Sequence, residues 1–138
     1  MGARAERFKS FNTKYMATDT AGRLELVREY FAEDFVCYEP PELPQGGTFR
    51  GWDAGPRISA IYRALWDLEL VDMTILEEKD SDTLVMRTTY KWTSKETGRV
   101  FIGPVLELVA FNREGKIQSF EVFHFDPAGL VATLPGRN

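Results

Sequence analysis

Thr83-Leu-Val-Met-Arg-Thr-Thr-Tyr-Lys-Trp-Thr-Ser94 alternates without a break: Leu84, Met86, Thr88, Tyr90 and Trp92 interleave with Val85, Arg87, Thr89 and Lys91. A period of two puts the first set on one face of a β-strand and the second on the other, one buried and one mostly wet. Turn-forming residues stand at both ends, Lys79-Asp-Ser-Asp82 before and Ser94-Lys-Glu-Thr-Gly98 after, and a third turn lies at Asn112-Arg-Glu-Gly115. The stretch is therefore read as one member of an antiparallel meander predicted over residues 70–78, 83–94, 99–112 and 116–125. In its last strand Phe120, Val122 and His124 share one face while Phe123 and Phe125 take the other, as in a central strand covered on both sides. Gly103-Pro104, inside an otherwise apolar strand, is where a bulge or kink is expected to bend the sheet.

Upstream the period lengthens to that of a helix. Phe8, Phe11, Tyr15 and Met16 recur at helical spacing, and after the break Thr18-Asp-Thr-Ala-Gly22 so do Leu24, Val27, Tyr30, Phe31 and Phe35. Between Glu39 and Gly51 three prolines and three glycines forbid either regular period, so an ordered loop or lid is predicted. A third helix follows, with Asp53 as N-cap, Pro56 in its first turn, and Ile58, Ile61, Tyr62, Leu65 and Trp66 on its buried stripe, ending near Leu68. The tail Pro127-Ala-Gly-Leu-Val-Ala-Thr-Leu134 is read as a final helical turn closing one end. Three N-terminal helices before a strongly curved antiparallel four-stranded sheet, with at most a short extra strand, make a single α+β domain shaped as a cone with an internal pocket.

With 138 residues the chain has room for one core. Its formal charge of -4 argues against a nucleic-acid partner or a polybasic membrane surface. Cys37 is alone, so no intrachain disulfide forms, and a reducing cytoplasm is the expected setting. The start Met1-Gly-Ala-Arg-Ala-Glu-Arg7 lacks the apolar stretch of a leader, and no apolar run is long enough to span a bilayer. One His and one Cys cannot supply the usual zinc or iron–sulfur ligand sets, so no metal and no cofactor is expected. The 10 Phe, 5 Tyr and 3 Trp exceed what filling so small a core requires, which suggests a hollow one.

Four polar residues sit among apolar neighbours: Tyr15, Glu39, Glu107 and His124. Glu107 shares its parity with Val105, Val109 and Phe111. If that face is the interior, the carboxyl has a raised pKa and can donate a hydrogen bond near neutrality; if Leu106, Leu108 and Ala110 face the core, Glu107 faces solvent or a partner. Glu39 precedes two prolines that pin it, as a general base requires, although a Glu before Pro is ordinarily a surface carboxylate. His124 is either a hydrogen-bonded core residue or a proton carrier suited to neutral pH. Tyr15 is either a core aromatic or a hydroxyl donor. Gly46-Gly47 lacks phosphate-loop spacing, and no serine has a nucleophile-elbow context.

Tyr30-Phe-Ala-Glu-Asp-Phe-Val-Cys-Tyr-Glu-Pro40, the Gly-containing loop to Gly51, Phe111-Asn-Arg-Glu-Gly-Lys-Ile117 and Phe123-His-Phe-Asp126 together resemble the nuclear transport factor 2-like superfamily, from about Phe8 to Leu134. That group includes ketosteroid isomerase, SnoaL-type polyketide cyclases, scytalone dehydratase and limonene epoxide hydrolase. The resemblance implies that Glu39 is the general base, Glu107 the protonated acid of an oxyanion hole, and Tyr15 its second donor, with His124 at a pocket-facing position of the last strand. Both carboxylates are Glu where the isomerases carry Asp, which moves each carboxyl by on the order of 1 Å and argues against simple steroid isomerisation. The pocket is expected to be lined by Phe31, Phe35, Leu43, Trp52, Tyr62, Trp66, Tyr90, Trp92, Val105 and Val122. The implied activity is isomerisation, cyclisation or dehydration of an apolar cyclic or polyketide-like small molecule. The alternative is a non-catalytic ligand-binding or dimerisation module. A homodimer through the outer sheet face, carrying Phe123 and Phe125, is expected in either case.

Overall fold

Residues 2–136 are described in the computed structural model; Met1, Arg137 and Asn138 lie outside them. Helix α1 spans Ala3–Ala17 and buries Ala5, Phe8 and Phe11. Helix α2, Thr20–Tyr30, opens on Asp19, whose carboxylate accepts from the Gly22 N–H at 2.9 Å. It stops earlier than its apolar spacing predicts. Phe31 and Phe35 belong instead to strand β1, Phe31–Glu39. The reason is tertiary: β1 pairs in parallel with the last strand, an alternative that helical spacing within one segment cannot reveal.

The predicted lid also contributes to the sheet. Gly47–Arg50 form β2, antiparallel to the end of β1. Helix α3 covers Ala54–Leu65 and ends before Leu68, because Trp66 opens strand β3, Trp66–Glu77. Asp53 stands at the N-cap position but makes no cap hydrogen bond; its carboxylate pairs with Arg57 at 3.3 Å. Strands β4, Thr83–Ser94, β5, Val100–Phe111, and β6, Ile117–His124, complete a sheet of six strands rather than four, ordered β2-β1-β6-β5-β4-β3. Among the described residues only the β1–β6 pair is parallel. The β4–β5 and β5–β6 turns use glycine where φ is positive, at Gly98 (74°) and Gly115 (79°), whereas Asp80 takes that conformation in the β3–β4 turn (64°).

No bulge occurs at Gly103-Pro104, where the register with β4 runs on through Thr89↔Pro104 and Tyr90↔Gly103. A side chain at Gly103 would meet the Phe101 ring, so this glycine makes room for an aromatic instead of kinking the strand. The sheet's irregularities lie between Phe31 and Val36, Leu70 and Asp72, and Ala110 and Phe111.

The main core lies between α1–α3 and one face of the sheet. A second cluster of Leu43, Trp66, Trp92, Leu130 and Leu134 closes one end, with helix α4, Pro127–Val131, across it. The Asp126 carboxylate accepts from the Gly129 N–H at 2.9 Å and starts that short helix. Asp126→Ala should cost ~1 kcal/mol in urea unfolding, whereas Asp126→Asn, whose side-chain oxygen accepts the same hydrogen bond, should keep most of the parent's stability; an unchanged midpoint for the alanine variant would show that α4 is held by Leu130 alone. Among the described residues no helix is long and apolar enough to cross a membrane.

Candidate active site

Strand register sets out the site. Glu107 shares its face with buried Val105, Val109 and Phe111, and it lies opposite Met86 on β4 and Val122 on β6. On the other side of β6 the register runs Cys37↔Phe120 and Tyr38↔Glu121, which brings Glu39, the next residue, level with Val122. Two strand spacings of about 4.8 Å separate the two backbones. Glu side chains are long enough for both carboxyls to reach one space across Val122.

That space has two parts. A larger chamber of about 140 Å³ lies under α1 and α3, bordered by Tyr15, Phe31, Phe35, Ile58, Glu39 and Glu107 among others. A smaller one of about 70 Å³ adjoins it and reaches Gln45, Trp92, Val105, Val122 and His124. Glu39, Tyr62, Tyr90 and Glu107 border both. The four polar residues singled out in the sequence thus converge on adjoining spaces, Tyr15 on the larger, His124 on the smaller and the carboxyls on each.

Three residues expected on the pocket wall are elsewhere. Leu43 and Trp66 are packed into the second core, where the Trp66 indole N–H donates to Thr133 Oγ1 at 2.8 Å. Trp52 packs outside the cavity with its N–H on the Phe31 carbonyl at 3.1 Å and the Arg28 guanidinium over its ring. Sequence reading missed Ser59 and Gln45. The Ser59 hydroxyl is 3.4 Å from both the Tyr15 and the Tyr62 hydroxyls, and its place one turn before Tyr62 on α3 was the available signal. Gln45, flanked by Pro44 and Gly46 in the supposed lid, carried no signal of burial.

Burial governs the electrostatics. The Glu39 carboxyl is pushed up to about 8, first by burial and then by the charge of Glu107. Burial pushes Glu107 up to about 7. The two carboxyls release their protons as a pair, in two steps, and share a single charge between about 7 and about 8. His124 is pushed down to about 4 by burial and is neutral at pH 7. The Cys37 thiol is pushed up by burial and by both carboxylates, which leaves it a poor nucleophile. Tyr62 and Tyr90 are held neutral by burial. Among the described residues no cluster of three or more His, Cys, Asp or Glu could hold a metal ion.

Two wider hollows are open to water. One of about 680 Å³, between the start of α1 and the β3–β4 turn, has Arg4, Arg7, Glu77 and Asp80 on its rim and lies away from the carboxyl pair. The other, about 490 Å³, touches Glu39 and His124 from the outer side, beside Pro40 and Phe123.

Solved structures share the whole architecture. An NTF2-like protein from Burkholderia xenovorans superposes with a TM-score of 0.79 at 18% identity, over 98% of this chain and 95% of the other. A second, from Burkholderia thailandensis, gives 0.75 at 21% identity over 96% and 98%. A candidate SnoaL-like polyketide cyclase from Mesorhizobium loti gives 0.61 at 21% identity over 88% and 99%. No protein-family model and no curated protein matches the sequence.

Proposed function

From the nuclear transport factor 2-like fold that this chain adopts, we propose a small acid–base enzyme that needs no cofactor and acts on an apolar cyclic molecule bound in the inner cavity. The observation that carries the reading is the pair of half-buried glutamates, Glu39 and Glu107, whose carboxyls border the same two chambers, with the Glu39 Oε2 atom itself buried and without a partner among the described residues. Burying two carboxyls without a counter-charge is costly, and proteins retain such pairs where proton transfer needs them. In the singly ionised pair the carboxylate takes a proton from a carbon beside a carbonyl. The electron pair of the broken C–H bond moves to the carbonyl oxygen, and the neutral carboxyl and the Tyr15 hydroxyl donate to the enolate. Return of the proton at another carbon completes an isomerisation; cyclisation and dehydration begin with the same step. Neutral His124 would orient the substrate rather than carry charge. The volumes favour a small substrate, since about 150 Å³ accommodates one benzene ring.

The test is proton exchange in D₂O, followed by NMR on a panel of monocyclic ketones and cyclic β-dicarbonyls. Protein-dependent loss of the α-proton signals should follow a bell-shaped profile with its maximum between about 7 and about 8. Panel members that bind without exchanging would support the second reading, a ligand-binding module. A protein that neither binds nor exchanges any of them would support a dimerisation module instead, a reading favoured by a larger chamber of about 140 Å³, well below the roughly 300 Å³ of many ligand pockets.

A homodimer through the outer sheet face is part of the proposal. Leu106 and Phe123 pair across β5 and β6 on that face and are both exposed, with Phe123 at 53%. Exposed apolar residues side by side mark interaction surfaces. Phe123→Arg should convert a dimer to a monomer in sedimentation equilibrium, and a parent protein that sediments as a monomer would dispose of this part.

A further inference from the structure

We propose that the smaller chamber is a built subsite for a neutral polar arm of the ligand, one that carries both a hydrogen-bond donor and an acceptor, for which a primary carboxamide is the complete match. This rests on the preceding reading only in placing the ligand's ring in the larger chamber.

Three buried polar atoms without a partner among the described residues belong to residues that wall this one small space: Gln45 Oε1, Glu39 Oε2 and Trp92 Nε1. Gln45 is 1% exposed and Trp92 4%. Unsatisfied polar groups at such depth are rare in folded proteins and call for an explanation, and three around one space point to a group that satisfies them together. The Gln45 side chain is held by its loop. The Leu43 N–H donates to the Pro40 carbonyl at 3.1 Å and the Gly46 N–H to the Leu43 carbonyl at 2.8 Å. A side chain at residue 46 would collide with the Pro40 carbonyl, so glycine is what lets the turn close, while Leu43 anchors it in the second core.

The lining dictates the chemistry of the arm. An indole N–H only donates, so the arm must present an acceptor to Trp92; an amide oxygen only accepts, so it must present a donor to Gln45. Among the described residues no Lys or Arg borders either chamber, so a carboxylate arm would be buried without a counter-charge. About 70 Å³ accommodates a group of three or four heavy atoms, about two water-sized volumes. Glu39, Tyr62, Tyr90 and Glu107 border both chambers, so an arm lodged here would fix which ring carbon lies beside the carboxyl pair.

Binding of benzamide, toluene and benzoate to the parent protein, Gln45→Leu and Trp92→Phe, measured by NMR titration, tests the proposal. Benzamide should bind the parent roughly tenfold or more tighter than toluene, and benzoate no tighter than toluene. The benzamide-to-toluene ratio should fall to about one in Gln45→Leu and drop several-fold in Trp92→Phe, with toluene binding showing that each variant keeps its fold and its larger chamber. A ratio near one in the parent, a ratio unmoved in both variants, or a preference for benzoate would overturn it, the chamber then holding water alone. Failure of toluene itself to bind the parent would overturn it at its premise about the larger chamber. The titration does not read catalysis, so a protein that passes here and fails the D₂O exchange test separates the two conclusions.

Discussion

Glu39→Gln is expected to lower α-proton exchange by ~10²–10⁴-fold while making the protein more stable in alkali. Both effects have one origin. The Glu39 carboxyl sits at about 8 in the folded chain against an ordinary 4.5. Between those values the folded state binds a proton that the unfolded state has lost, so the stabilisation is complete below about 4.5 and disappears as the pH rises through about 8. Glu107 acts in the same sense up to about 7. His124 opposes them over part of the range: its ordinary 6.5 falls to about 4, so its contribution is present above 6.5 and lost on acidification. The parent should therefore lose stability from mildly acid to alkaline pH, most steeply between 6.5 and about 7, where His124 no longer offsets the carboxyls and both still contribute. At about pH 9 Glu39→Gln should exceed the parent by roughly 2–5 kcal/mol in urea unfolding, at about 1.4 kcal/mol per unit of displacement, and at about pH 4 the two should coincide. A parent whose stability rises steadily from mildly acid to alkaline pH would show that these carboxyls are ionised and solvated.

Comparison with Glu107→Gln then identifies the base. A glutamine keeps a hydrogen-bond donor but cannot accept a proton, so the substitution that costs more turnover marks the group that takes it. The resemblance gives that role to Glu39.

Trp66→Ala should destabilise by ~3–5 kcal/mol. The indole is 1% exposed, meets the Trp92 ring at 5.5 Å and 83°, and joins β3 to the tail through Thr133, whose hydroxyl donates in turn to the Leu130 carbonyl at 2.7 Å. Truncation leaves a cavity and frees the tail. Trp66→Phe keeps most of the ring volume and loses the hydrogen bond, and it should cost about 1–2 kcal/mol. Since Trp92 also walls the smaller chamber, Trp66→Ala should change the near-ultraviolet dichroism of the folded protein. A loss below about 1 kcal/mol in urea unfolding would mean that the second core contributes little to global stability.

Residues 83–94 show how far local pattern reaches. Alternation and turn chemistry located β4, and with it the hairpins on either side, because antiparallel neighbours joined by short turns are specified by residues close in sequence. Parity alone put Glu107 with Val105 and Val109. Phe31 and Phe35 show where pattern ends: their spacing suits a helix, and only pairing with β6, more than eighty residues later, makes β1 a strand. Gln45 is the counterpart in the site, a polar residue in a Pro- and Gly-rich loop that long-range packing buries.

Composition and neighbours a few positions apart were enough for the α+β class, the meander, the identity of the polar residues placed among apolar ones, and the impossibility of a disulfide between two residues of this sequence. Tertiary structure alone decided that the sheet has six strands, that Trp66 and Leu43 form a second core instead of a pocket wall, and that Glu39 and Glu107 border the same space. The physical reason is that burial and charge coupling are properties of segments brought together from far apart in the chain. A carboxyl's proton affinity is set by what surrounds it in space, and its sequence neighbours describe only part of those surroundings.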